Sequence, residues 1–404
     1  MHLHPATLLA AAVASFLLSA ASASPSVPEP SEVLVVSNRA HPWSGDVADA
    51  YLHARQIPAE QVVVIDLPPT PLVSREVYQQ RIEGPVARWL RTHDAFDRIR
   101  FIVLVPGVPL RVTGTRGRQG STASVDSELA LLYRRMTGTP VASTGFIENP
   151  YFSAGALDAP RPFDHQHYDI YLVTRLDGRT AADATALISR GAIRPTRFSV
   201  VVDGRPRAAS GAEATWLAEV PARVQAAQPA ARVLADESAA PIAGEVEVTG
   251  YASWGSNDVQ ARVPPVSFGA GAIASSFMSS DARTLESPPP GWVPGTWERP
   301  GSFFAGSPEA LAADWLQAGL TGLGAQVTEP YLDGAFRPAT LQEAWVRGYT
   351  LAESFYLALP YLSWQAVVFG DPLARGTDGP APAAEVPTAG DTSGVTPFVA
   401  RSAA

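Results

Sequence analysis

Any catalysis by this chain must proceed without a thiol, because none of its 404 residues is cysteine, and its candidate catalytic side chains are two carboxylates and a hydroxyl. Asp258 follows an apolar segment over residues 245–251 that is typical of a buried strand, and Glu329 follows a strand-like segment over residues 324–328. Ligands of open α/β sheets lie at the carboxyl ends of strands, so the two carboxylates would meet if their strands are neighbours. Paired carboxylates perform the acid–base chemistry of glycosidases and metal hydrolases. Asp258 and Glu329 are therefore a candidate hydrolytic pair, acting directly or through a divalent metal.

A stretch of small and polar residues leading to Asp258 is a candidate binding surface. Ser253, Trp254, Asn257 and Asp258 all follow the same predicted strand. Asn257 and Asp258 are suited to orienting a substrate hydroxyl or a metal at that position. The alternative is a turn in which these two side chains hydrogen-bond to their own backbone. Both interpretations remain open at the level of sequence.

Ser275 is a candidate nucleophile at the end of the next predicted strand, residues 266–274. A catalytic serine needs a base within hydrogen-bond reach. No histidine follows a predicted strand in the second half of the chain, and the surrounding residues do not form a G-x-S-x-G elbow. Ser275 therefore remains a candidate without a predicted base.

Two further groups of polar residues have both a functional and a structural interpretation. His165 and His167 lie on one side of an extended segment and could bind a divalent metal, or they could be solvent-exposed. Asp126 and Glu128 begin a short predicted helix, where carboxylates also interact favourably with the helix dipole.

The first residues predict export. Leu8–Leu18 is an apolar run, and Ala21, Ser22 and Ala23 form a small-residue cleavage site, so residues 1–23 are interpreted as a signal peptide. Residues 24–32 are a proline-rich linker. No later segment is long and apolar enough to span a bilayer. We therefore expect a secreted or periplasmic protein without a transmembrane segment.

Composition excludes several classes of chemistry and of partner. The absence of cysteine excludes disulfides, thiolate nucleophiles and iron–sulfur clusters, and the absence of lysine excludes Schiff-base chemistry. A net charge of −9 without a basic run is unfavourable for binding nucleic acid. No dinucleotide, phosphate-loop or EF-hand motif occurs, so no cofactor is predicted.

Apolar runs of strand length alternate with amphipathic segments, which predicts an α/β protein with mostly parallel sheets flanked by helices. Thr340 and Glu343 match a capping box and predict one helix from there to about Leu359. The predicted organisation is a first α/β half over residues 33–110, an irregular insertion over 111–168, a second half over 169–374 and a disordered tail over 375–404.

Several stretches, in this order, resemble an uncharacterised family of exported bacterial proteins that is distantly similar to the gingipain cysteine peptidases. The resemblance covers roughly residues 31–375 and rests on these segments: Val108–Arg111, Ser124–Leu129, Leu172–Gly178, Ser253–Asp258, Thr328–Leu332, Leu351–Tyr356 and Gly370–Leu373.

The resemblance implies two halves of the caspase–gingipain kind, but with both catalytic residues missing. Trp254 stands where such peptidases have their histidine, and Ala274–Ser275 stands near the position of their cysteine. The resembling segments also contain Asp126, Glu128, Arg175 and Asp177, which we include among the predicted ligand-binding residues.

The sequence therefore favours an exported relative of gingipain-like proteins that is not a cysteine peptidase. It would bind an extracellular or periplasmic peptide or surface polymer in the displaced active-site cleft, around residues 253–258, Ser275 and Glu329. The alternative is a hydrolase that uses Asp258 and Glu329 on an extracellular substrate, so the sequence leaves open whether the protein is an enzyme.

Overall fold

The computed structural model describes residues 28–115, 122–141, 145–157, 161–204, 211–255 and 260–377. Within these ranges the strands are Val33–Asn38 (β1), Val62–Ile65 (β2), Leu72–Val73 (β3), Phe101–Leu104 (β4), Arg111–Thr113 (β5), Thr122–Ser124 (β6), Ile147–Glu148 (β7), Leu172–Arg175 (β8), Ser199–Asp203 (β9), Arg232–Asp236 (β10), Val248–Ser253 (β11), Phe268–Ser276 (β12), Gly322–Gln326 (β13), Tyr361–Leu362 (β14) and Ala366–Phe369 (β15).

The α-helices of the same ranges are Ser44–Arg55 (α1), Arg75–Tyr78 (α2), Gly84–Thr92 (α3), Val125–Ala130 (α4), Leu132–Met136 (α5), Ala181–Gly191 (α6), Ala212–Ala218 (α7), Val220–Ala227 (α8), Ala312–Gln317 (α9), Pro338–Val346 (α10) and Leu351–Ala358 (α11). A π-helical segment, Gln79–Glu83, joins α2 to α3.

Ten of the strands form one sheet in the order β10-β9-β11-β12-β13-β15-β8-β4-β1-β2. All neighbouring pairs are parallel except β13 and β15. The α/β class with a mostly parallel, helix-flanked sheet is thus confirmed. Every residue of β1, β4, β8, β9 and β15 is buried, as expected for parallel strands covered on both faces.

The sheet consists of a four-strand group, β2 to β8, and a six-strand group, β15 to β10. The two groups join through β15 and β8, which pair in register only at Phe369 and Arg175. β8 pairs with β4 over four residues, so residues 172–175 extend the sheet of the first half.

Each group contains a point at which the strand order reverses. In the four-strand group the chain passes from β1 to β2 in one direction and through β4 to β8 in the other. In the six-strand group it passes from β9 to β10 in one direction and through β11 to β13 in the other. Crevices at such switch points, at the carboxyl ends of the strands, are the usual ligand sites of α/β sheets.

The prediction of one helix beginning at Thr340 is wrong. α10 begins at Pro338, and the chain breaks at Gly348 (φ 89°) before α11. The capping box belongs to α11, where Thr350 and Glu353 bond reciprocally. Thr340 instead donates its hydroxyl to the Ser153 carbonyl at 3.0 Å.

Two smaller sheets pack beside the large one. One has the order β3-β5-β6 and carries Arg111 at the start of β5, and the other pairs β7 with β14. Among the helices that the structure describes, none is long and apolar enough to cross a membrane.

Candidate functional site

A cleft of about 250 Å³ lies beyond the carboxyl ends of β12 and β13. We call it the arginine cleft and define it by Arg111, Ser279, Ser280, Arg283, Trp297 and Glu329, which all line it. Ser279, Ser280 and Arg283 belong to the loop after β12, and Glu329 belongs to the loop after β13. The cleft thus lies at the edge of the sheet where α/β proteins bind ligands.

Arg111 is a partly buried cation without a partner in the described part of the chain. No hydrogen bond or ion pair involves its guanidinium there, and its Nε is buried and unbonded. Burial lowers the pKa of Arg111, yet an arginine remains charged at neutral pH. A partly desolvated guanidinium without a counter-ion can bind an anionic ligand through charge-assisted hydrogen bonds.

Arg283 forms the wall of the cleft and has its donors occupied. It is 3% exposed. Its guanidinium donates to the carbonyls of Ser280 at 2.9 Å, Phe304 at 2.8 Å and Glu309 at 2.8 Å. Burial lowers the pKa of Arg283 to about 10, so it stays charged at neutral pH. These bonds fix the loop over residues 303–310.

Two acidic groups lie beneath this wall. The Glu309 carboxylate accepts from the Ser279 amide at 3.0 Å and from the Ser280 hydroxyl at 2.7 Å. Asp281 accepts from the Gln326 amide at 2.7 Å, and burial raises its pKa to about 8. Asp281 is therefore mostly protonated at neutral pH, and Glu309 is the nearby carboxylate whose charge acts most strongly on Arg283.

Glu329 and Trp297 complete the arginine cleft on its solvent side. Glu329 is exposed, and its carboxylate accepts from the Tyr331 amide at 2.8 Å, which holds it at the rim. Trp297 is 56% exposed and contacts Phe303 edge-on, with ring centroids 5.4 Å apart. The cleft therefore offers a cation, an anion and an aromatic surface within one recess.

The predicted carboxylate pair and nucleophile are not assembled within the described residues. Asn257 and Asp258 lie outside those residues, so no distance joins Asp258 to Glu329. Ser275 is 3% exposed and lies within the sheet, in register with Ala252 and Gly324. A substrate cannot reach its hydroxyl in that position.

Ser253 and Trp254 differ in exposure. Ser253 is buried, and its hydroxyl accepts from the Gly255 amide at 3.1 Å. Trp254 is partly exposed, and its ring lies 5.8 Å from that of Phe277. Trp254 is therefore the member of this predicted surface that a ligand could contact.

The predicted binding residues Arg175, Asp126 and Asp177 form a buried ionic group. Arg175 donates to both Asp126 oxygens at 2.7–2.9 Å and to the carbonyls of Val108 and Pro109. Asp177 lies 3.6 Å from the same guanidinium, and burial raises its pKa to about 6. The contact between Arg175 and Asp126 occupies both side chains, and it joins β8 to α4.

Glu128 is likewise buried among partners. It pairs with Arg75 at 2.8 Å and Arg135 at 2.6 Å and accepts from the Ser363 hydroxyl at 2.7 Å. Burial alone would raise its pKa, but these two guanidiniums lower it. Glu128 therefore stabilises the packing of α4.

His165 and His167 do not form a shared site. The His165 ring stacks on Tyr133 and its Nε2 bonds to the Ile99 carbonyl at 2.7 Å. His167 is exposed and bonds to Asp164. No cluster of three metal-binding side chains exists among the residues that the structure describes.

Sequence reasoning missed Arg111 and Arg283 as site residues. Arg111 lies within one of the segments that carry the family resemblance, which was the available signal. The absence of a partner for it among the described residues and its position against the loop after β12 are tertiary properties that no motif encodes.

Comparison with known proteins adds little to this site. No family model matches the chain, and no curated protein matches it. A solved structure titled "Structure of Protease" is similar over 86% of this chain and 78% of its own, at 9% sequence identity and a TM-score of 0.38. A likeness at that TM-score carries no argument, so the resemblance to gingipain-type peptidases stays a prediction.

Proposed function

We propose that this protein is an exported binding protein that holds an acidic peptide in the arginine cleft and does not act as a cysteine peptidase. The observation that supports this is the partly buried guanidinium of Arg111, which lines the cleft without an acidic partner in the described residues. A peptide carboxylate would supply the missing counter-ion through charge-assisted hydrogen bonds.

A peptide suits the cleft better than a uniformly charged polymer. Arg111 and Glu329 place opposite charges in the same recess, and Trp297 adds an exposed ring. A peptide carries carboxylates, amines and apolar side chains together, so it can satisfy all three. A polyanion would meet repulsion from Glu329.

The absence of cysteine from the whole chain supports a function without thiol chemistry. Ser275 is buried, so it does not replace a cysteine as an accessible nucleophile. The hydrolase with Asp258 and Glu329 remains the alternative, and it predicts cleavage of a bound peptide. Export rests on the signal peptide predicted over residues 1–23, which lie outside the described residues.

The test is a binding screen of the purified mature protein with fluorescent peptides that are acidic, neutral or basic. We expect acidic peptides to bind, and Arg111→Gln to weaken them by about tenfold or more, as loss of a charge-assisted contact predicts. Arg88→Gln, at an exposed position of α3, is the matched control and should bind like the wild type. Equal affinity of all three proteins would contradict the proposal.

The same samples distinguish binding from catalysis. Mass spectrometry of the peptides after incubation, with and without divalent metals, should show no cleavage. Cleavage that is lost in Glu329→Gln would favour the hydrolase instead. Preference for an acidic polysaccharide over every peptide would favour a surface-polymer ligand.

A further inference from the structure

A second recess, of about 350 Å³, lies at the switch point of the four-strand group, between the carboxyl ends of β1 and β4. We call it the switch-point crevice and define it by His41, Trp43, Thr70, Asp177, Thr284 and Glu286, which line it. None of these residues belongs to the arginine cleft. Its volume falls within the range of small-molecule sites, roughly 300–1,000 Å³.

Asn38 holds the walls of the crevice together. It is fully buried at the end of β1. Its side-chain amide donates to the Leu67 carbonyl at 2.9 Å and to the Gly107 carbonyl at 2.7 Å, and its Oδ1 accepts from the Leu67 amide at 3.1 Å. The loops after β1, β2 and β4 are therefore fixed by one side chain, and the crevice is pre-formed.

The His41 side chain lies directly against Gly107. A Cβ placed on Gly107 (φ 90°) would come 2.3 Å from the His41 Cβ, so only glycine permits this approach. The Trp43 amide lies 3.5 Å from His41 Nδ1, which leaves Nε2 as the nitrogen that carries hydrogen when the ring is neutral. Burial lowers the pKa of His41, which favours the neutral ring at pH 7.

The charges around the floor of the crevice balance. Arg175, Arg179 and Arg262 are matched by three carboxylates, Asp126, Asp177 and Asp314. Arg179, at the edge of the crevice, donates to Asp314 at 2.6 Å and to Gln317 at 2.7 Å. Glu286, which also lines the crevice, adds a negative charge that opposes an anionic ligand, whereas neutral hydroxyls can donate hydrogen bonds to it.

The lining combines an apolar wall with hydrogen-bonding groups. Trp43 and the prolines at 42, 69 and 71 form flat apolar surface. Asp177 and Glu286 supply acceptors, Thr70 and Thr284 supply hydroxyls, and His41 supplies a donor. A ligand that matches has an apolar face and several hydroxyls, which describes a pyranose ring.

We propose that the switch-point crevice is a second binding site, independent of the arginine cleft, and that it takes a neutral pyranose sugar. The sugar packs its C–H face against Trp43 and donates hydroxyl hydrogens to Asp177 and Glu286. The exposed position of Glu286 allows a longer oligosaccharide to extend into solvent.

The test is a titration of the mature protein with glucose, galactose, mannose, N-acetylglucosamine, maltose and cellobiose. Saturation-transfer NMR detects contact, and the part of the change in tryptophan fluorescence that Trp43→Ala removes reports binding beside Trp43. We expect saturable binding of at least one of these sugars at millimolar concentrations. Trp43→Ala and Glu286→Gln should each weaken it by about tenfold or more, as expected for the loss of a stacking contact and of a charge-assisted hydrogen bond.

Arg111→Gln is the control and should leave sugar binding unchanged, so failure of the arginine-cleft proposal does not affect this one. Trp43 packs partly against the core, so Asp177→Asn serves as an isosteric second variant if Trp43→Ala unfolds. Absence of saturable binding to all six sugars, or binding that survives Glu286→Gln and Asp177→Asn, would overturn the proposal.

Discussion

Arg175 and Asp126 form a buried, bidentate ion pair, with the guanidinium Nε and Nη2 at 2.7–2.9 Å from the carboxylate. The side chains are 0% and 2% exposed. Burial raises the pKa of Asp126, and Arg175 opposes that effect. The pair connects the strand at the junction of the two sheet groups to α4, so its role is to hold the molecule together.

Removal of one partner of this pair should be strongly destabilising. Arg175→Met leaves Asp126 and Asp177 buried without their cation, and we expect a loss of about 3–5 kcal/mol in the free energy of unfolding. Asp126→Asn should lower the free energy of unfolding by less than Arg175→Met, because the side-chain amide keeps one oxygen that accepts from Arg175. Urea denaturation measures both changes.

The exposed pair Arg197–Glu247 is a matched control, since its side chains are 72% and 62% exposed. Glu247→Gln should leave stability almost unchanged, as for most surface ion pairs. If Glu247→Gln and Arg175→Met lowered the free energy of unfolding equally, the buried pair would stabilise the protein no more than an exposed pair does.

Asp281 should make the protein less stable as pH rises. Its folded pKa, about 8, lies above its ordinary value of 3.8 because the carboxyl is buried. The folded state therefore binds the proton more tightly, and between pH 4 and 8 stability falls with increasing pH.

Asp281→Asn removes this titration and keeps an acceptor for the Gln326 amide. We expect the variant to be similar to the wild type near pH 5 and to become more stable than it at pH 8, by up to about 4 kcal/mol. Denaturation series at several pH values give the difference. A difference that does not change with pH would contradict the assignment.

Gly107 and Gly138 provide a direct test of the packing beneath the switch-point crevice. Both have φ 90°, but nothing lies within 4 Å of a Cβ on Gly138, whereas His41 lies at 2.3 Å from one on Gly107. Gly138→Ala should lower the free energy of unfolding by about 1–2 kcal/mol, from backbone strain alone.

Gly107→Ala should lower the free energy of unfolding by as much as Gly138→Ala and by about 1–3 kcal/mol more, because His41 is displaced. Thermal unfolding of the two variants gives the comparison, and the His41 NMR resonances should shift in Gly107→Ala only. Identical losses in both variants would mean that the His41 contact is not tight.

The strands were predictable where burial on both faces leaves a continuous apolar run. Residues 33–37 and 101–105 are such apolar runs, and β1 and β4 lie there. The order of strands was not predictable, because apolar parallel strands resemble one another. The position of β8 beside β4 depends on tertiary contacts such as the Arg175–Asp126 pair, whose members are 49 residues apart.

The arginine cleft was predictable only in part. Glu329 was identified because it follows a strand-like segment, and it lines the cleft. Arg175 and Asp126 carry the right chemistry for binding, but their mutual contact buries both. Whether a charged side chain is paired or available is decided by the neighbours that folding brings to it, which explains why Arg111 was missed.

The most direct test of the central claim compares one acidic peptide with its carboxamide, titrated by calorimetry against the wild type and Arg111→Gln. If Arg111 binds the carboxylate, amidation should weaken binding to the wild type by about tenfold or more and have little effect on Arg111→Gln. Thermal unfolding should show that Arg111→Gln is as stable as the wild type, because the guanidinium has no partner in the described residues. The same loss on amidation in both proteins would contradict the account.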